Sequence, residues 1–161
     1  MSLIQKLKAR AANNNPVRVG IIGAGKFGSM YLSQAPRTVG IHLVAVADLS
    51  PARAKEALAR VGWDEARYNA TSLQDAAKSG ATFVTDDAEK MIASEHIDIV
   101  IDSTGSPAAG IRHALLCFDH RKHIIMVNVE ADVLAGPLLA RKAKEVGVIY
   151  SMASGDQPAL I

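Results

Sequence analysis

VRVGIIGAGKFG, residues 17–28, joins a short apolar run to three glycines in the spacing GxGxxG. A buried strand that ends in such a turn and continues into a helix is typical of dinucleotide-binding folds. Asp48 ends a second apolar run, about 20 residues after Gly28, where an acid in these folds binds the adenosine ribose. The glycines and the acid together predict a site for NAD or NADP.

Each glycine of this loop has a separate predicted function. Gly23 permits the tight turn out of the first strand, and Gly25 lets the pyrophosphate approach the backbone because it has no side chain. Gly28 allows the following helix to pack closely against the strand. The diphosphate then lies at the helix N-terminus, where free N–H groups favour an anion. Lys26 and Phe27, between the last two glycines, complete the predicted loop site, and the Lys26 ammonium group can reach the diphosphate.

Composition limits the classes of protein to which the chain can belong. Its 161 residues, 49% of them hydrophobic, suit one globular domain with a substantial core. A net charge of +2 and 4% aromatic residues argue against a nucleic-acid interface, and no apolar run approaches the length of a membrane span. Cys117 is the only cysteine and lies in an apolar helical segment, which favours a core position and a reducing, cytoplasmic compartment. The histidines show no metal-ligand spacing, so no metal is predicted.

Strand and helix patterns alternate along the chain. The predicted strands cover residues 17–22, 41–47, 82–85, 97–102, 123–127 and 148–152. The predicted helices cover 26–34, 51–62, 72–78, 87–91 and 107–118, and the last begins at Gly136-Pro137. Near-continuous apolar strands separated by helices predict an α/β, Rossmann-type doubly wound sheet of about six parallel strands in the order 3-2-1-4-5-6. Residues 16–153 form this domain.

A short helix and linker are predicted ahead of the domain, over residues 1–15. The first 12 residues are basic, lack acids and place Leu3, Ile4 and Leu7 on one helical face. An organellar transit peptide has a similar composition, but a short helix docked on the domain is favoured.

Polar residues at the ends of the second and fourth strands are the next candidates for cofactor contacts. Arg53, early in the helix after Asp48, could pair with a 2′-phosphate, so the choice between NAD and NADP stays open. Ser103, Thr104 and Gly105 are small enough to let the backbone pass close to the nicotinamide end of a dinucleotide. Ser106 precedes Pro107 and is predicted to cap the next helix.

The segment NVEAD, residues 128–132, follows the fifth strand and carries three polar side chains. Asn128 could hydrogen-bond the carboxamide or a substrate oxygen. Glu130 could orient the nicotinamide or cap the following helix, and Asp132 is predicted to be a cap. Met126 and Met152, both in strands, are predicted to be core residues.

These segments, with DSTG at 102–105 and YSMASGDQP at 150–158, resemble the cofactor domain of homoserine dehydrogenase-like oxidoreductases. The deoxyxylulose-phosphate reductoisomerase-like subgroup is the most similar. The resemblance implies a second, catalytic domain, of which residues 154–161 would be the start. It also implies a small substrate, such as a sugar phosphate or an aspartate-derived aldehyde, held by that domain. The catalytic residues are not identified, and the chain is expected to bind a dinucleotide without turnover on its own.

Two other interpretations stay open. One is a stand-alone nucleotide-sensing module that acts through dimerisation, and a homo-oligomer stays open in either case. The other is the glucose-fructose oxidoreductase group, whose members often carry Glu-Lys-Pro after the fifth strand. This chain has Glu130-Ala131-Asp132 at that place.

Overall fold

A six-stranded parallel sheet forms the centre of the computed structural model, which describes residues 1–153. The strand order is β3-β2-β1-β4-β5-β6, and every neighbouring pair is parallel. The strands are β1 (Val17–Ile22), β2 (Ile41–Ala47), β3 (Phe83–Thr85), β4 (Ile99–Asp102), β5 (His123–Met126) and β6 (Tyr150–Met152). The predicted fold class and strand order are therefore confirmed. Residues 154–161, predicted to begin a second domain, lie outside the described residues.

Seven α-helices are present in residues 1–153. They are α1 (Leu3–Ala12), α2 (Lys26–Gln34), α3 (Pro51–Arg60), α4 (Leu73–Ser79), α5 (Ala88–Ala93), α6 (Pro107–Asp119) and α7 (Val129–Val146). The side chains of Ser50, Ser72 and Ser106 each accept a hydrogen bond from the backbone N–H three residues on, at the starts of α3, α4 and α6. These caps satisfy N–H groups that a helix leaves without partners, and the one at Ser106 confirms the cap predicted from the sequence.

The start of α7 differs from its prediction. The helix begins at Val129, seven residues before Gly136, because Asn128 caps it. Its Oδ1 accepts a hydrogen bond from Ala131 N at 3.1 Å, and Pro137 lies inside the helix. Asp132 is thus a helical residue rather than a cap, and it accepts a hydrogen bond from the Tyr150 hydroxyl at 2.7 Å.

Apolar side chains fill two layers, one on each face of the sheet. One layer packs α4, α5, α6 and α7 against residues such as Val100 and Ile124, and the other packs α2 and α3 against residues such as Ile21 and Val46. Met126 is fully buried, as predicted, whereas Met152 is 42% exposed because it ends the edge strand β6. Within residues 1–153, no helix has the length and apolar character needed to cross a membrane.

Candidate functional site

A cleft of about 680 Å³ lies at the carboxyl ends of β1, β2, β3 and β4. In doubly wound sheets, ligands bind outside this edge, next to the point where the strand order reverses. The order here reverses between β1 and β4. The cleft is lined by residues 22–23, 25, 47–49, 53, 86–89, 103–106, 109 and 112–113. Seven of the predicted site residues are among them: Gly23, Gly25, Asp48, Arg53, Ser103, Thr104 and Gly105.

The glycine loop has the close packing that its spacing predicts. Gly23 has a φ of +96°, and a Cβ there would lie 3.0 Å from the carbonyl oxygen of Ser103. A Cβ on Gly28 would collide with the carbonyl oxygen of Gly23, so α2 can approach β1 only because residue 28 lacks a side chain. Gly25 differs, since no atom of residues 1–153 lies within 4 Å of its Cβ position. It is also the N-cap of α2 and offers no side-chain hydrogen bond, which leaves the helix N-terminus open.

Asp48 connects two loops at the cleft. Its Oδ2 accepts a hydrogen bond from Ala24 N at 2.9 Å, and its Oδ1 accepts one from Ser50 N at 2.9 Å. The carboxylate is therefore fixed in direction before any ligand binds, and each oxygen keeps a second lone pair for a ribose hydroxyl. Arg53 is exposed in the first turn of α3 and lines the same cleft.

Five predicted residues do not line the cleft. Lys26 is exposed, Phe27 packs against the core under α2, and Gly28 is buried at the contact with β1. Glu130 is exposed in the first turn of α7. Asn128 is 3% exposed.

The side-chain amide of Asn128 makes its hydrogen bonds within the protein. In addition to its cap, its Nδ2 donates to the carbonyl oxygen of Ser106 at 2.8 Å and lies 3.4 Å from the Thr104 hydroxyl oxygen. The side chain therefore joins α7 to the loop after β4. It is not presented to the cleft as a carboxamide-binding group.

A buried carboxylate–imidazole pair below the cleft was not predicted. Asp102, fully buried at the end of β4, has its Oδ2 2.6 Å from Nδ1 of His113 on α6. Its Oδ1 accepts hydrogen bonds from the backbone N–H and hydroxyl of Thr104, at 3.0 Å and 2.7 Å. The sequence shows a strand-end aspartate followed by a helix that contains a histidine, but this pattern does not predict the contact.

Other lining residues also went unpredicted. Leu49 is an apolar side chain with 98% exposure beside Asp48, and Asp86, Asp87 and Glu89 place acids on the β3 side of the cleft. No group of three or more His, Cys, Asp or Glu side chains in residues 1–153 could hold a metal ion.

Comparison with known proteins relates this geometry to a family. Residues 17–128 match the family model described as an oxidoreductase family with an NAD-binding Rossmann fold, Gfo/Idh/MocA. No curated protein matches the chain.

Several solved structures are similar. Myo-inositol dehydrogenase from Lactobacillus casei, in complex with NAD(H) and myo-inositol, has a TM-score of 0.65 at 20% identity, over 86% of this chain and 36% of that chain. Scyllo-inositol dehydrogenase from the same organism, with NAD(H) and scyllo-inositol, has a TM-score of 0.64 at 15% identity, over 86% and 36%. An NAD-binding oxidoreductase from Klebsiella pneumoniae has a TM-score of 0.63 at 19% identity, over 86% and 34%.

At these identities the structural likeness establishes the fold alone. The chain spans about a third of the length of these proteins. The comparisons do not support the narrower resemblance to homoserine dehydrogenases, and the family match instead favours the glucose-fructose oxidoreductase group.

Proposed function

Because the chain belongs to the oxidoreductase family with an NAD-binding Rossmann fold, we propose that it is the cofactor domain of an enzyme that transfers hydride between a nicotinamide and a small carbonyl or hydroxy metabolite. One observation carries this proposal: the open N-terminus of α2 and the fixed carboxylate of Asp48 line the same cleft. A diphosphate suits the first group, and a ribose diol suits the second.

NAD is the proposed cofactor. The Asp48 carboxylate is held in place by two backbone N–H groups, and its negative charge repels a 2′-phosphate at the ribose it would bind. Arg53 lines the same cleft and supports NADP as the alternative, since a guanidinium group pairs with phosphate. The Asp48 carboxylate is held more firmly than the Arg53 guanidinium, because Arg53 is an exposed helix residue. This difference favours NAD.

The substrate is proposed to be a small polyhydroxylated or carbonyl compound that binds outside the described residues. Two similar structures contain an inositol beside NAD(H), which favours a sugar-like substrate. The sugar-phosphate reductoisomerase-like and homoserine dehydrogenase-like activities are narrower alternatives that rest on the sequence resemblance alone.

Titration calorimetry with NADH and NADPH tests the cofactor proposal. We expect NADH to bind more tightly, and Asp48→Ala to weaken it by about tenfold, because one charge-assisted hydrogen bond contributes roughly 1.5 kcal/mol or more. Glu56→Ala is the control, since Glu56 is an exposed acid on α3 that does not line the cleft. Failure of both dinucleotides to bind would contradict the proposal. Equal affinities for NADH and NADPH, unchanged in Asp48→Ala, would contradict the role of Asp48 in binding the ribose.

Nucleotide sensing without hydride transfer is a second candidate. Among the described residues, the cleft is lined by the loops after β1 to β4 and by no residue after β5, where the nicotinamide would lie. Hydride transfer from NADH by the whole protein would argue against this candidate. Dimerisation that depends on NADH would favour it.

A further inference from the structure

His113 is buried, and one of its imidazole nitrogens has no hydrogen-bond partner within residues 1–153. Its side chain is 6% exposed, and Nδ1 is bound to Asp102. Among the described residues, Nε2 has no hydrogen-bond partner, yet no buried side-chain nitrogen or oxygen lacks one. Nε2 therefore keeps contact with solvent, and the open space that His113 borders is the cleft.

The Asp102 carboxylate determines which nitrogen of the His113 ring donates a hydrogen bond within the protein. A carboxylate accepts hydrogen bonds, so Nδ1 is the donor in this pair. In a neutral imidazole whose Nδ1 carries the proton, Nε2 is a hydrogen-bond acceptor. Asp102 is itself held by two hydrogen bonds from Thr104, so the ring is anchored to the end of β4.

The cleft that His113 lines also contains Asp48, the residue proposed to bind the adenosine ribose. The residues that line it follow β1, β2, β3 and β4, and the acid that takes the adenosine ribose is Asp48. Asp86, Asp87 and Glu89 are further acceptors at the same end. The exocyclic N6 amine of adenine is the donor that such a set of acceptors can bind.

We propose that His113 is a specificity-determining residue, whose Nε2 accepts a hydrogen bond from the N6 amine of adenine, with Asp102 as the positioning residue that fixes the tautomer. The proposal rests on the proposed function, namely that the cleft binds NAD. It adds a selection for adenine over a base with a keto oxygen at the same position. Such an oxygen would place two acceptors opposite each other.

The test compares NADH with reduced nicotinamide hypoxanthine dinucleotide, which carries oxygen in place of the N6 amine. We expect the chain to prefer NADH by about tenfold, the effect of one buried hydrogen bond. His113→Asn keeps a donor for Asp102 but removes the acceptor at Nε2, so the preference should fall below about twofold through weaker NADH binding. His120→Asn is the matched control, since His120 is an exposed histidine at the end of α6.

Asp102→Asn tests the positioning role. The ¹⁵N chemical shifts of His113 should report an Nδ1-protonated ring in the unaltered chain and a changed tautomer population in Asp102→Asn, together with a reduced preference for NADH. An unchanged tautomer would overturn the role of Asp102.

The outcomes separate this inference from the proposed function. Binding of neither dinucleotide would refute the proposed function itself. Equal affinity of the unaltered chain for both dinucleotides would overturn the inference alone, and this measurement needs no variant to fold. A full preference retained in a folded His113→Asn would do the same.

Discussion

The loops after β1 and β5 lie at the same edge of the sheet, and each leads into a helix that begins in a different way. Gly25 caps α2 without a side-chain hydrogen bond, and no other described residue occupies the space next to its Cβ position. Asn128 is buried and caps α7 with its side-chain amide oxygen. A helix N-terminus can bind an external anion only where the protein has not already satisfied its N–H groups. The comparison therefore supports the proposal that a diphosphate binds at α2.

The largest expected effect comes from making the first loop resemble the second. Gly25→Asp would supply α2 with a carboxylate cap, which competes with the diphosphate for the same N–H groups and repels it. We expect NADH affinity to fall by about a hundredfold or more, since both effects oppose the ligand. The melting temperature should stay the same or rise. Calorimetry and thermal unfolding check both results, and NADH binding at the original affinity would break the comparison.

Gly28→Ala should act on stability as well as on binding. The added methyl would collide with the carbonyl oxygen of Gly23, so α2 must move away from β1. We expect the free energy of unfolding to fall by about 2–3 kcal/mol, typical of overpacking. Denaturant unfolding measures this change. Gly62→Ala is a poor control because Gly62 has a positive φ, whereas Gly105→Ala adds a methyl in open space. A loss of stability in Gly105→Ala equal to that of Gly28→Ala would count against the packing argument.

Asn128→Ala should lower stability while leaving NADH affinity nearly unchanged, the reverse of Gly25→Asp. The variant removes the cap of α7 and the hydrogen bond to Ser106. We expect a loss of about 1–2 kcal/mol in unfolding free energy, with NADH affinity within about twofold of the original. If Asn128→Ala abolished NADH binding while the chain remained folded, the loop after β5 would belong to the site.

Cys117, buried in the apolar layer that contains α6, provides the smallest expected effect. Burial raises the pKa of its thiol from 9.0 to about 12. Between these values the unfolded chain loses the thiol proton and the folded chain keeps it, so stability is present below pH 9 and declines above it. We expect a loss of about 1 kcal/mol from pH 8 to pH 10, reduced in Cys117→Ala. An identical alkaline decline in both chains would contradict the assignment to this thiol.

Local signals in the sequence were sufficient where neighbouring residues decide the structure. The predicted cap at Ser106 satisfies a helix N–H group three residues away, and the glycine loop depends on contacts along one strand–helix connection. The predicted start of α7 was wrong because Gly136-Pro137 is a strong local signal for the beginning of a helix, whereas the helix begins at Val129. Asn128 competes with it through a contact to Ser106, which lies on another loop.

Contacts between secondary-structure elements explain the other differences between the sequence-based predictions and the structure. The pairing of Asp102 with His113 depends on how α6 folds back over the end of β4, and no spacing in the sequence reports that packing. Met152 has the composition of a core strand residue, but its exposure depends on β6 lying at the edge of the sheet.

Binding of two fragments of the cofactor tests the central claim most directly. Calorimetry compares ADP-ribose, which lacks only the nicotinamide, with nicotinamide mononucleotide, which lacks the AMP part. We predict that ADP-ribose binds within about tenfold of NADH, because the diphosphate and the adenosine ribose make the main contacts, whereas nicotinamide mononucleotide binds at least about a hundredfold more weakly. Nicotinamide mononucleotide binding as tightly as ADP-ribose would contradict the account.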